Sequence, residues 1–199
     1  AADDTRRRLF GSAVHLFSTK GYAATTVDAI AKRAGVAKGT FFLHFATKDA
    51  VVIELVRRQT KAARRAREDE LPHGPLAALR AAVMALGDQA GQSRELSRAV
   101  LAATLENPQV GHDADALFGA LMADMLVDAH AIRPMLRSTV HPAELVRGLL
   151  AANLGAAFHF ASSGTRASMR ELLAPLVDGL IEGSLEEAHA KPRRRARAG

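Results

Sequence analysis

Two short segments with apolar residues at helical spacing, set three residues apart, constrain the fold more than any other feature of this chain. In the first, Val27, Ile30, Ala31 and Ala34 form a stripe that ends at Gly35, and Thr25 or Thr26 stands where a helix cap belongs. In the second, predicted over Lys38–His44, Phe41 and the following Phe45 lie four apart, in line with Val27, Ile30 and Val36. Helices of about two turns do not persist alone in water. A third helix must cover their apolar side, and Leu9, Ala13, Val14, Leu16 and Phe17, recurring at helical spacing within residues 4–20, are the available cover.

The remainder also reads as helix. Ala and Leu supply much of the 48% apolar content, a bias that favours helices over strands, and no stretch shows sustained strand alternation. A long helix, capped by Thr47, is predicted over residues 48–70, and the run Leu71, Pro72, His73, Gly74, Pro75 breaks it. Further helices are predicted at 75–90, 94–106, 113–131, 142–162 and 167–189, with Pro108, Gly111, Pro134 and Pro142 supplying breaks and Pro175 inside the last. The expectation is an all-α protein of about nine helices: an N-terminal helix-turn-helix domain over 1–47, a second helical domain over 48–189 joined through the helix 48–70, and a disordered basic tail over 190–199.

Composition excludes several chemistries. Without cysteine there is no disulfide framework, thiolate metal site or cysteine nucleophile. No apolar run approaches the roughly 20 residues of a membrane span, and no signal-peptide core follows the N-terminal charges, so a cytoplasmic protein with no membrane partner is expected. Asp124 and Asp128 share a helix face, but His130 lies well round from them, so no metal site and no cofactor are expected. None of the common catalytic motifs occurs, which predicts no enzymatic activity.

Charge is divided along the chain. Lys plus Arg against Asp plus Glu is 14 against 8 over residues 1–70, 8 against 13 over 71–189 and 5 against 0 over 190–199. A basic head on an acidic body suits a nucleic-acid partner. In a helix-turn-helix the second helix enters the major groove of DNA, its first turn meeting base edges. With Phe41 and Phe45 turned inward, Lys38, Gly39, Thr40, Phe42 and His44 remain for the groove: lysine can donate to guanine and glycine lets the backbone approach. Thr26 and Lys48 begin the flanking helices, where a donor suits a phosphate. A plain helical hairpin with Lys38 and Lys48 as solvated charges is the alternative. The tail KPRRRARAG is either a solvated end or an added phosphate attraction.

The stretch TTVDAIAKRAGVAKGTFFLHFATKDAVV, residues 25–52, resembles the signature of the TetR family of bacterial transcriptional regulators, with the pattern T-T-x-x-x-I-A-x-x-A-G-V followed by K-G-T-hydrophobic-aromatic-x-H-F-x-x-K at intact spacing. The resemblance covers about residues 5–60; two long helices at the end are similar in pattern only. Family members often carry Tyr where this chain has Phe42 and Ser or Thr where it has Ala37, so two hydroxyls are lost and Phe42 can offer apolar contact alone, to a thymine methyl or a sugar.

A single recognition helix reads few base pairs, which predicts a homodimer on a palindromic double-stranded DNA operator. The resemblance implies a four-helix bundle of the last two helices from each copy, with Leu145, Leu149, Leu172, Leu176, Leu180 and Ile181 as interface candidates, and Leu150, Leu154, Ala157, Phe158, Leu173 and Leu185 on the same two helices. It also implies a small-molecule pocket, for which Leu101, Leu105, Phe118, Leu121, Met122 and Met125 are apolar candidates and Asn107, His130, Asn153 and His159 polar ones. The expectation is a ligand-responsive repressor released by an apolar or amphipathic molecule. The alternatives are a DNA-binding regulator without an effector and a helical protein-interaction module with weakened DNA binding.

Overall fold

The computed structural model describes residues 2–187, and within them every regular element but an isolated bridge is helical. The α-helices are α1 (Ala2–Lys20), α2 (Val27–Ala34), α3 (Lys38–His44), α4 (Lys48–Glu70), α5 (Pro75–Ala90), α6 (Arg94–Glu106), α7 (Pro108–Ala131), α8 (Pro142–Ser162) and α9 (Met169–Ser184). The basic tail 190–199 lies outside the described residues.

Capping explains most of the boundaries. Side-chain oxygens of Thr26, Thr47 and Ser93 accept from the backbone N–H three residues on, at 3.2, 3.2 and 2.9 Å. Ser168 and Glu171 close a reciprocal capping box that starts α9. Two expected boundaries move by five residues. The seventh helix begins at Pro108 rather than 113, because Asn107 caps it and proline at the first helical position lacks only a donor that would have no intrahelical partner. The last helix ends at Ser184 rather than 189, because Leu185 pairs with Leu136 and the Arg137 N–H donates to the Ser184 carbonyl at 2.9 Å.

Apolar side chains gather in two cores. In the head, Leu9, Ala13, Phe17, Ile30, Phe41, Phe45, Val51 and Val52 pack together, and this core runs on into Leu96, Ala99 and Ala103 of α6 and Val110 of α7. In the body, α5, α7, α8 and α9 bury Leu79, Val83, Leu121, Met125, Leu149, Leu173 and Val177. Helix α4 joins the two, with Val51 and Leu55 in the first core and Ala63 in the second. Helices α5 and α9 approach closely at Gly87, where a Cβ would stand 2.5 Å from Leu173 Cδ2.

Ion pairs set the register of α4. Asp128, almost wholly buried, takes a two-pronged bond from Arg67 at 2.5 and 2.8 Å, and one turn away Arg64 donates to Asp124 at 2.6 Å. The hydrogen bond to Asp128 holds the Arg67 guanidinium above its ordinary value, with burial opposing. His130 faces solvent, its Nδ1 2.7 Å from the Leu126 carbonyl. Among the described residues no three potential ligands gather as a metal site, and no helix is long and apolar enough to cross a membrane.

The face of α8 needs correcting. Leu145 and Leu149 are interior residues of the single chain, 3% and 0% exposed, and cannot lie on an interface between copies. The outward apolar residues are Leu154 and Phe158 on α8 and Leu176 and Leu180 on α9, while Leu172 and Ile181 are half-buried against the body core. Leu149 and Leu154 are five apart, more than one turn, so a list of leucines mixes both faces.

The pocket candidates also divide. Leu121 and Met125 are buried in the core, Phe118 packs against it and Leu101 is half-buried. Leu105, Met122 and His159 face solvent: Met122 sits a single residue, about 100° of helix, past the buried stripe of Leu121 and Met125, and Leu105 lies at the end of α6. Asn107 is occupied elsewhere, its Nδ2 donating to Asp49 Oδ2 at 2.8 Å. Asn153 is half-buried, and its Oδ1 is buried with no hydrogen-bond partner.

Candidate nucleic-acid interface

The turn between α2 and α3 is built on Gly35, whose φ of 67° lies in the left-handed region. Its N–H donates to the Lys32 carbonyl at 3.1 Å and the Val36 N–H to the Ala31 carbonyl at 3.0 Å, the paired bonds that end a helix and turn the chain. The side chain of Arg8 donates to the Ala34 carbonyl and so ties α1 to the same turn.

Helix α3 then divides its side chains by face. Phe41 is fully buried and Phe45 nearly so, their ring centroids 5.7 Å apart, packed on Ile30, Leu9 and Phe17. Arg6 lies over the outer side of the Phe45 ring at 4.6 Å. On the opposite face Lys38, Gly39, Phe42 and Leu43 are exposed, with Thr40 and His44 half-buried beside them. A Cβ added at Gly39 would meet nothing within 4 Å, so that face is open. Ala37 precedes the helix with an extended backbone and no side-chain cap, where a hydroxyl would have supplied one.

Two cations of the site are engaged in the free protein. Lys38 Nζ donates to Asp28 Oδ2 at 2.8 Å across the two helix starts, both side chains more than half exposed, an ion pair of at most about 1 kcal/mol. Lys48 Nζ donates to the Tyr22 carbonyl at 2.9 Å and stands 4.0 Å from the centroid of the Tyr22 ring. Partial burial lowers the Lys48 pKa, with Glu106 opposing. The lysine keeps two further protons for an outside acceptor. Thr26 is exposed at the α2 start, its hydroxyl oxygen accepting from the Ala29 N–H at 3.2 Å.

Sequence reasoning missed three residues here. Asp28, the partner of Lys38, could have been suspected as an acid in the first turn of α2. Leu43, the most exposed large apolar side chain at 82%, stands four after Gly39 on the same face. Tyr22, which orients Lys48, carries no sequence signal because the contact spans 26 residues.

Comparison with known proteins bears on this geometry directly. Residues 9–55, from the middle of α1 through α3 into α4, match the family described as bacterial regulatory proteins, tetR family. This segment, the head of the chain, belongs to the TetR family. This is a family of transcriptional regulators and not of enzymes. The chain is 39% identical to the uncharacterized HTH-type transcriptional regulator YerO of Bacillus subtilis over 51 residues, 26% of this chain and 18% of that protein. It is 28% identical to the HTH-type transcriptional regulator EthR of Mycolicibacterium smegmatis over 112 residues, 55% of this chain and 52% of that one. The matches thus span about half of these relatives' length or less.

Solved structures extend the likeness along the whole chain. The structure of Thermus thermophilus FadR, a TetR-family transcriptional repressor in complex with lauroyl-CoA, matches with a TM-score of 0.63 and 26% identity over 98% of this chain and 100% of that one. SmeT of Stenotrophomonas maltophilia, repressor of the multidrug efflux pump SmeDEF, matches with a TM-score of 0.72 over 96% of both chains at 21% identity, a likeness of fold.

Proposed function

We propose that this TetR-family protein is a dimeric transcriptional repressor that grips a palindromic operator through Thr26, Lys38, Gly39, Thr40, Phe42, His44 and Lys48 and leaves it when a small apolar or amphipathic molecule binds the body. The observation that carries the DNA-binding part is the division of α3, with Phe41 and Phe45 sealed in the head core and Lys38, Gly39 and Phe42 turned outward. Lys48 and Thr26 address phosphates from the starts of α4 and α2, and Lys38 reaches a base once it leaves Asp28.

The dimer rests on the exposed Leu154, Phe158, Leu176 and Leu180, an apolar surface on the two helices that would form a four-helix bundle with a second copy. The effector rests on the unpartnered Asn153 Oδ1 within an apolar body and on the acyl-CoA complex of a protein with the same fold. A ligand that prefers the released state weakens DNA binding by the factor by which DNA weakens ligand binding.

The test selects bound fragments from the source genome with the full chain and challenges the complex with lauroyl-CoA and shorter and longer acyl thioesters. Sequence-selective binding by a species of twice the chain mass of 21.2 kDa, reversed by one of them, is the expected result. Absence of selective binding overturns the reading. A regulator without an effector is the second reading, favoured by the dispersal of the pocket candidates and by clefts that lie elsewhere, one by Arg8 and Arg33 in the head and another by Arg137 and Glu186. Selective binding that no thioester reverses would favour it.

A further inference from the structure

We infer that Phe42 and Leu43 read the C5 methyl groups of thymines, so that this protein selects its half-site by apolar contact at neighbouring positions of the major groove. The inference rests on the DNA-binding reading and goes beyond it by naming what the groove must contain.

The outward face of α3 is poor in hydrogen-bonding groups. Lys38 is the one exposed cation on that helix, and it is already paired with Asp28; Gly39 has no side chain; Thr40 and His44 are half-buried. The rest of that face is hydrocarbon: Phe42 is 49% and Leu43 82% exposed. Their placement is defined. The Phe42 ring stands edge to face on the buried Phe41, centroids 5.5 Å apart and planes at 86°, which anchors it to the head core. Leu43 follows about 100° round the helix, in the column of Gly39, where no side chain keeps an approaching surface away.

The occupant follows from what surrounds this pair and from how small it is. Two side chains are far less than a stable protein interface requires. The threonine-capped starts of α2 and α4 flank them, and the first 70 residues carry 14 basic against 8 acidic groups, a setting suited to a polyanion. In the major groove of a duplex the thymine methyl is the exposed apolar group, so hydrocarbon brought there discriminates thymine from every other base.

The test selects duplexes from a random-sequence library with the full chain, then replaces each thymine of the recovered site by deoxyuridine, which removes the methyl and nothing else. At the positions facing Phe42 and Leu43 each replacement should weaken binding about fourfold, the worth of one buried methyl. Leu43→Ala, at a residue too exposed to matter for folding, should abolish the deoxyuridine effect at its own position and leave that of Phe42. Recovered sites that bind equally well with deoxyuridine throughout, or a Leu43→Ala protein with unchanged thymine preference, overturn the inference and leave DNA binding standing. Failure to recover any selective site removes the DNA-binding reading and this inference with it.

Discussion

Gly35 and Gly39 lie four residues apart and do opposite things. Gly35 is needed for its backbone: at a φ of 67° a β-branched side chain is strained, and a Cβ there would also stand 3.0 Å from Arg8 Nη2. Gly35→Val should lower stability by about 2 kcal/mol or more, read as a drop in the denaturant midpoint. Gly39 instead leaves open space beside its backbone. Gly39→Ala should hold or raise stability by about 0.5–1 kcal/mol through helix propensity, because nothing in the protein opposes the methyl. The same change should weaken duplex binding, since that methyl enters the space offered to the groove. A variant that is more stable and binds DNA as before would show that the backbone of α3 does not approach the bases closely.

Among the elements, α4 carries the connection between head and body, and its two ends are held differently. Near the head, Glu54 accepts from Arg57 and Arg58 at 2.9 and 3.0 Å and pairs with Arg6 of α1 at 3.4 Å. Burial works against its charge, but the hydrogen bonds from Arg58 and Arg57 and the charge of Arg6 prevail, leaving its pKa below the ordinary glutamate value. A lowered carboxylate pKa stabilises the fold above the ordinary value, and that contribution fades as pH falls through it toward the folded-state value. Glu54→Gln should therefore cost about 1 kcal/mol at neutral pH, with the difference from the parent closing on acidification below about pH 4. Thermal melts of both proteins across that range check the sign. Toward the body, Arg67 and Asp128 are buried together, whereas Arg64 is half exposed. Asp128→Ala strands a buried guanidinium and should cost about 3 kcal/mol, against less than about 1 kcal/mol for Asp124→Ala. Equal losses would mean that the buried pair is hydrated.

At the scale of the molecule, α6 links the head to α8. Its Leu96, Ala99 and Ala103 sit in the head core, and Ser93 at its start bonds Ser18 of α1 at 3.2 Å. From the same helix Arg94 donates to the carbonyls of Phe160 and Thr165, and Arg98 to that of Ala161 at 2.5 Å, closing the C-terminus of α8 with positive charge. Two arginines thus tie the C-terminus of α8 to a helix whose apolar side lies in the head core. Phe158→Glu places a charge on the exposed stripe of α8 without touching the core, so the proposed dimer should dissociate at micromolar concentration while helix content is kept. Sedimentation showing an intact dimer would move the interface to another face.

Element identity was legible in the residues because it depends on local rules. Helical spacing, threonine and serine caps, and Gly35 as a stop located α2, α3, α4, α5 and α6 to within a residue, and the inward turn of Phe41 and Phe45 followed from their spacing against Ile30. The two boundaries that moved furthest did so for reasons outside a local pattern: Pro108 starts a helix because Asn107 caps it, and α9 stops where Leu185 pairs with a residue 49 positions earlier. The candidate site was legible in its outline, Thr26 to Lys48, and illegible in its partners, since Lys48 meets Tyr22 and Lys38 meets Asp28 only once the chain has folded. Which leucines of α8 are core and which are surface, and whether Leu121 and Met122 face one space or two, was decided by tertiary packing. An Ala- and Leu-rich helix is apolar over most of its circumference, so spacing states that it has a buried side while only its neighbours determine which side that is.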